Sequence, residues 1–367
     1  MKICIDARSP GYSGVLNYAS NLLRTLLTID KKNQYIILSA PKDKHWNLDG
    51  VEERVIPSNN PLSWLIWSNT VLPKMLEREQ VDVYHSLKHV TAFRGKTKKI
   101  ITFHSARFFF LPQHYKWYDA THWKIMYPAA ARKYDCVITV SEAEKENYVE
   151  YIRGVAENKF RVINLAADER FRIIDDSDKL QETKKKFSLP DKFLLFVGRL
   201  LPVKNIETIL KAYHMAKQKI KLEHKLVIVG RKTWFYKEIL SLVKELDIID
   251  DVIFTGPIFS ELPEVYNLAD LFLFPSYYEA FPAVPLEAMA CGTPVISADS
   301  GGLPDVVGNA GIMVSPTNVN ALAEAVIQVI TSEGLKQSMI NKGLQRIGVF
   351  SWERCAQETL KIYDEFA

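Results

Sequence analysis

Five short apolar runs in the second half of the chain constrain its fold more than any other feature. They are "KFLLFVG" (192–198), "HKLVIVG" (224–230), "DVIFTG" (251–256), "DLFLFP" (270–275) and "TPVISA" (293–298). Each ends at Gly, Pro or a small residue, and the uninterrupted apolar pattern suits a strand buried on both faces. Helical patterns separate them at 206–219, 236–245 and 262–268. Repeated strand–helix units imply a doubly wound parallel sheet with right-handed crossovers, and ligand loops at the carboxyl ends of its strands.

The first half repeats the alternation. Strands are predicted at Lys2–Asp6, Gln34–Leu38, Val81–His85, Lys99–His104 and Cys136–Val140, with helices over 15–29, 63–78, 121–133 and 141–152. The charge-dense stretch 168–191 reads as the connection between two domains. The expected division is 1–170, 171–349 and a terminal segment 350–367, whose amphipathic helix starts at a Ser351 cap. A chain of 367 residues is long enough for two such cores.

Composition narrows the class. Hydrophobic residues at 47% and charged residues at 25% are those of a soluble globular protein. The four cysteines lie far apart without a CxxC pair, which fits a reduced, cytoplasmic protein better than a disulfide or zinc framework. The N-terminal apolar run is too short for a signal peptide, and no run is long enough to span a bilayer. Charge is uneven: residues 1–170 hold 25 Lys and Arg against 18 Asp and Glu, and five of the seven tryptophans. That half is expected to meet something anionic and greasy, or simply to carry a solvated basic surface.

Three loops have the chemistry for an anionic ligand. In "SPGYSGVLNY", Gly11 and Gly14 flank a helix entry whose free N–H groups suit an anion, although an ordinary turn has the same composition. In "FVGRLLPVKN", Arg199 and Lys204 follow the end of a buried strand, where two cations have little structural purpose and suit a diphosphate. In "YYEAFPAVPLEAMACG", Pro285 and Gly292 bracket a short helix over 284–291. Its approach, Ala280–Val284, offers backbone N–H groups to a phosphate; Glu279 lies just outside and Glu287 one turn inside. A carboxylate accepts from two vicinal hydroxyls, which suits Glu287 to a ribose.

Taken in order and spacing, "FVGRLLPVKNIETIL", "LADLFLFPSYYEAFPAVPLEAMACGTPVIS" and "SGGLPDVVGNAGIMV" resemble the nucleotide-binding domain of glycosyltransferase family 4. "SGVLNYASNLLRTL", "ITFHS" and "ITVSEAEKENYV" resemble its acceptor-side domain, and "FSWERCAQETLKIYDE" the helix that crosses back to it. The resemblance implies a GT-B fold: α/β, two Rossmann-like doubly wound parallel-sheet domains facing a central cleft. It implies a retaining, metal-independent transfer of a sugar from a UDP- or GDP-type nucleotide sugar to an acceptor hydroxyl, with no cofactor. By the same resemblance Arg199 and Lys204 hold the diphosphate and Glu287 the ribose. Glu279 and the backbone of Ala280, Phe281, Pro282, Ala283 and Val284 then meet the sugar and distal phosphate. Gly14 borders the diphosphate, His104 contacts the donor sugar, and Pro257 and Ile258 lie near the base. Glu279, His104, Arg199 and Lys204 form the catalytic set.

The family often has an acid where this chain has Ser105, glycines where it has Ala280 and Pro282, and a Glu where it has Asp305. The expected acceptor is a saccharide or lipid-linked saccharide of cell-surface polysaccharide, lipopolysaccharide or glycolipid synthesis. Nucleic acid is not expected as a partner. The segments "NPLSWLIWSNTVLPKML", "RFFFLPQHYKWYDATHWK" and "RGKTKK" suit either peripheral contact with the anionic inner face of the cell membrane or a core and acceptor pocket. A nucleotide-sugar epimerase and a non-catalytic nucleotide-sugar-binding subunit are the competing readings. The string Asp176-Ser177-Asp178 reads as solvated surface rather than a metal site.

Overall fold

The computed structural model describes the chain except residues 9–13, 41–45, 47, 49–50, 57–60, 91–93, 115–116 and 367, and the side chains of 61, 62, 64, 65 and 114. Gly11 and the Trp64 side chain therefore lie outside the described residues. Two units are present: Met1–Leu165 with Ser351–Ala367, and Ala166–Phe350.

The first unit holds a parallel sheet of β1 (Lys2–Asp6), β2 (Gln34–Ser39), β3 (Glu52–Val55), β4 (Val83–Ser86), β5 (Lys98–Phe103), β6 (Cys136–Thr139) and β7 (Phe160–Val162). The spatial order is β3-β2-β1-β4-β5-β6-β7, so the winding reverses between β1 and β4. The helices are α1 (Gly14–Ile29), α2 (Pro61–Arg78), α3 (Arg107–Phe110), α4 (Trp117–Lys133) and α5 (Glu142–Tyr151). Strands β3 and β7 lack the apolar pattern because they are edges, where charge is favoured over continuous hydrophobicity. Aromatics of the 107–123 stretch divide between core and surface. Phe108 is buried against Tyr127, which stacks on Phe103 with centroids 4.0 Å apart, whereas Trp117 and Tyr118 are exposed.

The second unit holds β8 (Phe193–Val197), β9 (Lys225–Val229), β10 (Val252–Gly256), β11 (Leu271–Phe274), β12 (Val295–Ala298) and β13 (Ile312–Val314), again all parallel. Their order is β10-β9-β8-β11-β12-β13, with the reversal between β8 and β11. The helices are α6 (Ser177–Lys186), α7 (Ile206–Lys219), α8 (Tyr236–Glu245), α9 (Leu262–Leu268), α10 (Ala283–Ala290), α11 (Leu303–Val307), α12 (Val319–Thr331) and α13 (Glu333–Ile347). The predicted strands and the helices α7, α8 and α9 are present; α12 and α13 were not expected.

The stretch 168–191 is not a bare connection. It contains α6, whose Asp176 cap accepts from the Lys179 N–H at 3.0 Å, and Lys179 pairs with Glu264 of α9 at 2.5 Å. Only Thr183 of α6 is buried, so its sequence carries no apolar period to reveal it. Asp176 of the Asp-Ser-Asp string thus serves as a helix cap, and among the described residues no three His, Cys, Asp or Glu side chains gather as metal ligands would.

The chain ends in α14 (Trp352–Asp364), capped by Ser351 accepting from the Arg354 N–H at 3.1 Å. It packs on α1 of the first unit and buries Trp352, Cys355, Ala356, Ile362 and Tyr363. All four cysteines are free and buried. Among the described residues no helix is long and apolar enough to cross a membrane.

Candidate active site

In the second unit Arg199 and Lys204 follow β8 and Glu279 and Glu287 follow β11, the two strands that flank the reversal, whereas Pro257 and Ile258 follow the edge strand β10. Glycine closes β10 and directly follows β8 and β9. The Gly198 N–H donates to the Val229 carbonyl at 2.9 Å, and the Gly230 N–H to the Gly256 carbonyl at 2.9 Å. A Cβ on Gly230 would sit 1.8 Å from the Gly198 oxygen, so this close approach admits no side chain. Arg199, directly after Gly198, is exposed, and among the described residues it has no acidic partner. A short 3-10 turn, Pro202–Lys204, then carries Lys204. Its Nζ lies 2.5 Å from Glu279 Oε1 and 4.9 Å from the centroid of Phe274. Both partners are largely withdrawn from water, with side chains 16% and 14% exposed. Two residues expected to act on neighbouring parts of one ligand are therefore paired with each other.

The loop carrying Glu279 is held by its backbone. Its carbonyl accepts from the Gly302 N–H at 2.7 Å, and the Tyr277 N–H donates to the Val203 carbonyl at 2.9 Å. Gly301 has φ +55, and a Cβ there would lie 2.5 Å from the Glu279 oxygen. The "SGG" run thus acts as a close-packed support for Glu279, a role its sequence alone does not reveal. Helix α10 follows, entered through Pro282. The run of N–H groups expected to receive a phosphate is shorter than the sequence suggests. Pro282 has no N–H, and the Ala283 N–H is turned back to the Phe281 carbonyl at 3.1 Å. Two of the five backbone N–H groups counted on for a phosphate, those at positions 282 and 283, are therefore not open to one.

Glu287 lies in the second turn of α10, half-buried, and its Oε2 accepts from the Tyr266 hydroxyl at 3.1 Å. Burial pushes its carboxyl up to about 7, against the stabilising Tyr266 bond and the Arg170 charge. Arg170 also donates to the Phe259 carbonyl at 2.8 Å, one residue beyond Ile258, so it ties the expected base loop to the field at Glu287. Tyr266 and Arg170 were missed because neither stands in a recognisable loop motif.

A pH dependence follows. If Glu287 takes ribose hydroxyls, their donation stabilises its charged form, so a bound nucleotide would lower its pKa and affinity would rise with pH through 7. Relative to Glu287→Gln, calorimetry should show nucleoside diphosphate binding about tenfold weaker at pH 6 than at pH 8. A parallel profile in the two proteins would remove the ribose role.

In the first unit His104 follows β5 and is half-buried. Its Nε2 lies 2.7 Å from the Leu87 carbonyl, which only accepts, so Nε2 carries the proton and Nδ1 is an acceptor. Burial pushes its pKa down to about 4, leaving a neutral ring at physiological pH. His104 can therefore accept from a sugar hydroxyl but is not a cationic acid. Tyr18 packs edge-on at 5.1 Å, and the loop beyond is pinned by Glu144, which accepts the Ala106 N–H at 2.6 Å. Ser105, in place of an acid, accepts from the Arg107 N–H at 3.3 Å. His85 is a core group: it bridges Tyr363 of α14 and Thr102 of β5 at 2.7 and 2.9 Å. Gly14 opens α1, where among the described residues a Cβ would meet nothing within 4 Å.

Comparison with known proteins agrees with this architecture. The model described as Glycosyltransferase Family 4 matches residues 12–171, and that described as Glycosyl transferases group 1 matches 177–346. The serotype-specific mannosyltransferase WbdA of Escherichia coli is 30% identical over 226 residues, 60% of this chain; the chain spans 28% of that protein's length. The O-antigen chain mannosyltransferase B of the same organism is 25% identical over 282 residues, covering 77% of this chain and 74% of that one. Among solved structures, Anabaena HepE in complex with UDP and glucose superposes with TM-score 0.78 at 17% identity over the whole of both chains. Sucrose-phosphate synthase of Thermosynechococcus elongatus gives 0.77 at 21%, over 99% and 98% of the two chains. Two parallel-sheet units, both family matches and these relatives place the chain in glycosyltransferase family 4, with the GT-B fold.

Proposed function

We propose that this protein moves a sugar from a UDP- or GDP-type nucleotide sugar to a hydroxyl of a saccharide or lipid-linked acceptor, with retention and without a metal ion or cofactor. The carrying observation is the set at one sheet's carboxyl ends: exposed Arg199, Lys204, the entry of α10 and the hydroxyl-accepting Glu287. The bond from the anomeric carbon to the distal phosphate oxygen breaks, and the acceptor oxygen bonds to that carbon on the same face. The acceptor's proton passes to the departing diphosphate oxygen. Arg199, Lys204 and the Phe281 and Val284 N–H groups stabilise the negative charge that grows there. Glu279 faces the positive charge on the sugar ring, Pro257 and Ile258 lie beside the base, and Gly14 and His104 serve the first unit's side of the reaction.

The names of the E. coli relatives support a lipopolysaccharide-type acceptor, so mannosyl donors belong in the test. Incubation with a panel of nucleotide sugars and acceptors, read by nucleoside diphosphate release and by NMR of the product anomer, decides the matter. Acceptor-dependent release with retained configuration, unaffected by EDTA, is expected. An isomerised donor means an epimerase, and binding without turnover a non-catalytic subunit.

Exposed Trp117, Tyr118, Ile125 and Lys124 on α4, with Ile66, Val71 and Lys74 on α2, support peripheral contact of the first unit with the anionic cytoplasmic face of the membrane. Co-sedimentation with anionic vesicles at low salt tests it; absence of binding removes it.

A further inference from the structure

Asn205 directly follows Lys204 and has no role in the reading above. It is 1% exposed and adopts the left-handed conformation, φ 56 and ψ 42, which few residues other than Gly and Asn accept. Its Nδ2 donates to two carbonyls, Pro275 at 2.9 Å and Pro316 at 2.6 Å. Pro275 begins the loop after β11 that carries Glu279, and Pro316 lies in the loop after β13. One side chain therefore joins the loops following three strands of the sheet. Backbone bonds reinforce the joint: Asn205 N–H to Pro202 carbonyl at 2.9 Å, and Tyr277 N–H to Val203 carbonyl at 2.9 Å. The Lys204–Glu279 pair sits at the centre of these ties.

We infer that Asn205 is a positioning residue: its amide fixes the register of the Lys204 turn against the Glu279 loop, and so aims the Lys204 ammonium at the ligand's phosphates. A helix start of this kind is ordinarily capped by a side chain accepting the helix's own N–H groups. Asn205 makes no such cap bond and spends both amide hydrogens on distant carbonyls instead. The arrangement serves loop registration rather than the initiation of α7.

The inference rests on nucleotide binding by the second unit, as proposed above, and a double-mutant cycle separates the two. Asn205→Gly keeps the left-handed backbone and removes the amide; Lys204→Ala removes the group that Asn205 is said to aim. UDP and GDP affinity is measured by calorimetry, and Tm in parallel, for the wild type, both single variants and the double variant. In the wild-type background N205G should weaken binding about tenfold, and in the K204A background by less than about twofold, since a residue acting through another has nothing left to act on. Its loss of Tm should be similar in both backgrounds. Equal affinity losses in the two backgrounds, or none in either, overturn the inference. Wild-type protein that binds neither nucleotide overturns the donor reading itself, whatever Asn205 does. If N205G does not fold, Asn205→Ser, which keeps one donor for the two carbonyls, takes its place in the cycle with the same outcomes.

Discussion

Lys204→Ala should lower turnover by about 10²–10³-fold, equivalent to about 3–4 kcal/mol of transition-state stabilisation. Two physical effects act in the same direction. The ammonium that would meet the charge growing on the leaving diphosphate is lost. The Glu279 carboxylate, only 14% exposed and 2.5 Å from that ammonium, is also left uncompensated beside an anionic ligand. The second effect has its own signature. In Lys204→Ala/Glu279→Gln the repelling charge is gone, so nucleoside diphosphate affinity should recover relative to Lys204→Ala, while turnover stays low. Lys204→Arg keeps the charge but replaces a compact ammonium by a planar fork, and should retain intermediate activity. Steady-state kinetics of the four proteins check this. Turnover of Lys204→Ala within about fivefold of wild type would remove Lys204 from the chemistry, because an oxyanion-type donor is worth more.

Gly230→Ala should destabilise the second unit by about 3 kcal/mol or more, since a methyl group would have to displace main chain rather than a flexible side chain. The atom in the way is the Gly198 carbonyl oxygen, 1.8 Å from the new Cβ, with Leu200 Cδ1 at 3.2 Å. Relief requires β8 and β9 to part at their carboxyl ends, where Gly198 is bonded to Val229. For a unit of this size the melting transition should fall by roughly 6–12 °C, and donor binding should weaken with it because Arg199 departs from the same turn. Gly14→Ala is the contrast. Among the described residues no atom lies within 4 Å of its Cβ, so its effect on stability should stay within about 1 kcal/mol. Thermal unfolding of both variants by calorimetry, following each transition separately, distinguishes a backbone-approach glycine from a merely convenient one.

Much of the fold was legible because its strongest signals are local. A run such as "FLLFV" or "LFLF" cannot be solvated on either face, and a Gly or Pro after it cannot continue the strand. Strand β3 (EERV) is a charged edge and α6 buries one residue, so neither carries an apolar pattern; α12, which buries five residues, has no such excuse. The candidate-site loops are likewise distinctive one at a time, since Arg199, Lys204, Glu279 and Glu287 each stand in a stretch of distinctive composition.

By itself, then, the sequence determined the class of the two sheets, the loops that bear chemistry, and the residue types that could meet a phosphate or a ribose. Only the tertiary structure decided which of those groups are engaged and which remain open. It paired Lys204 with Glu279 across 75 positions of sequence, turned the Ala283 N–H inward, and put Tyr266 on Glu287. It also made Asn205 a joint between three loops and neutralised His104 by burial. Periodicity and local composition are short-range properties. Desolvation, ion pairing and the direction of a hydrogen bond depend on which distant strand ends the sheet brings together, and no stretch of sequence carries that information alone.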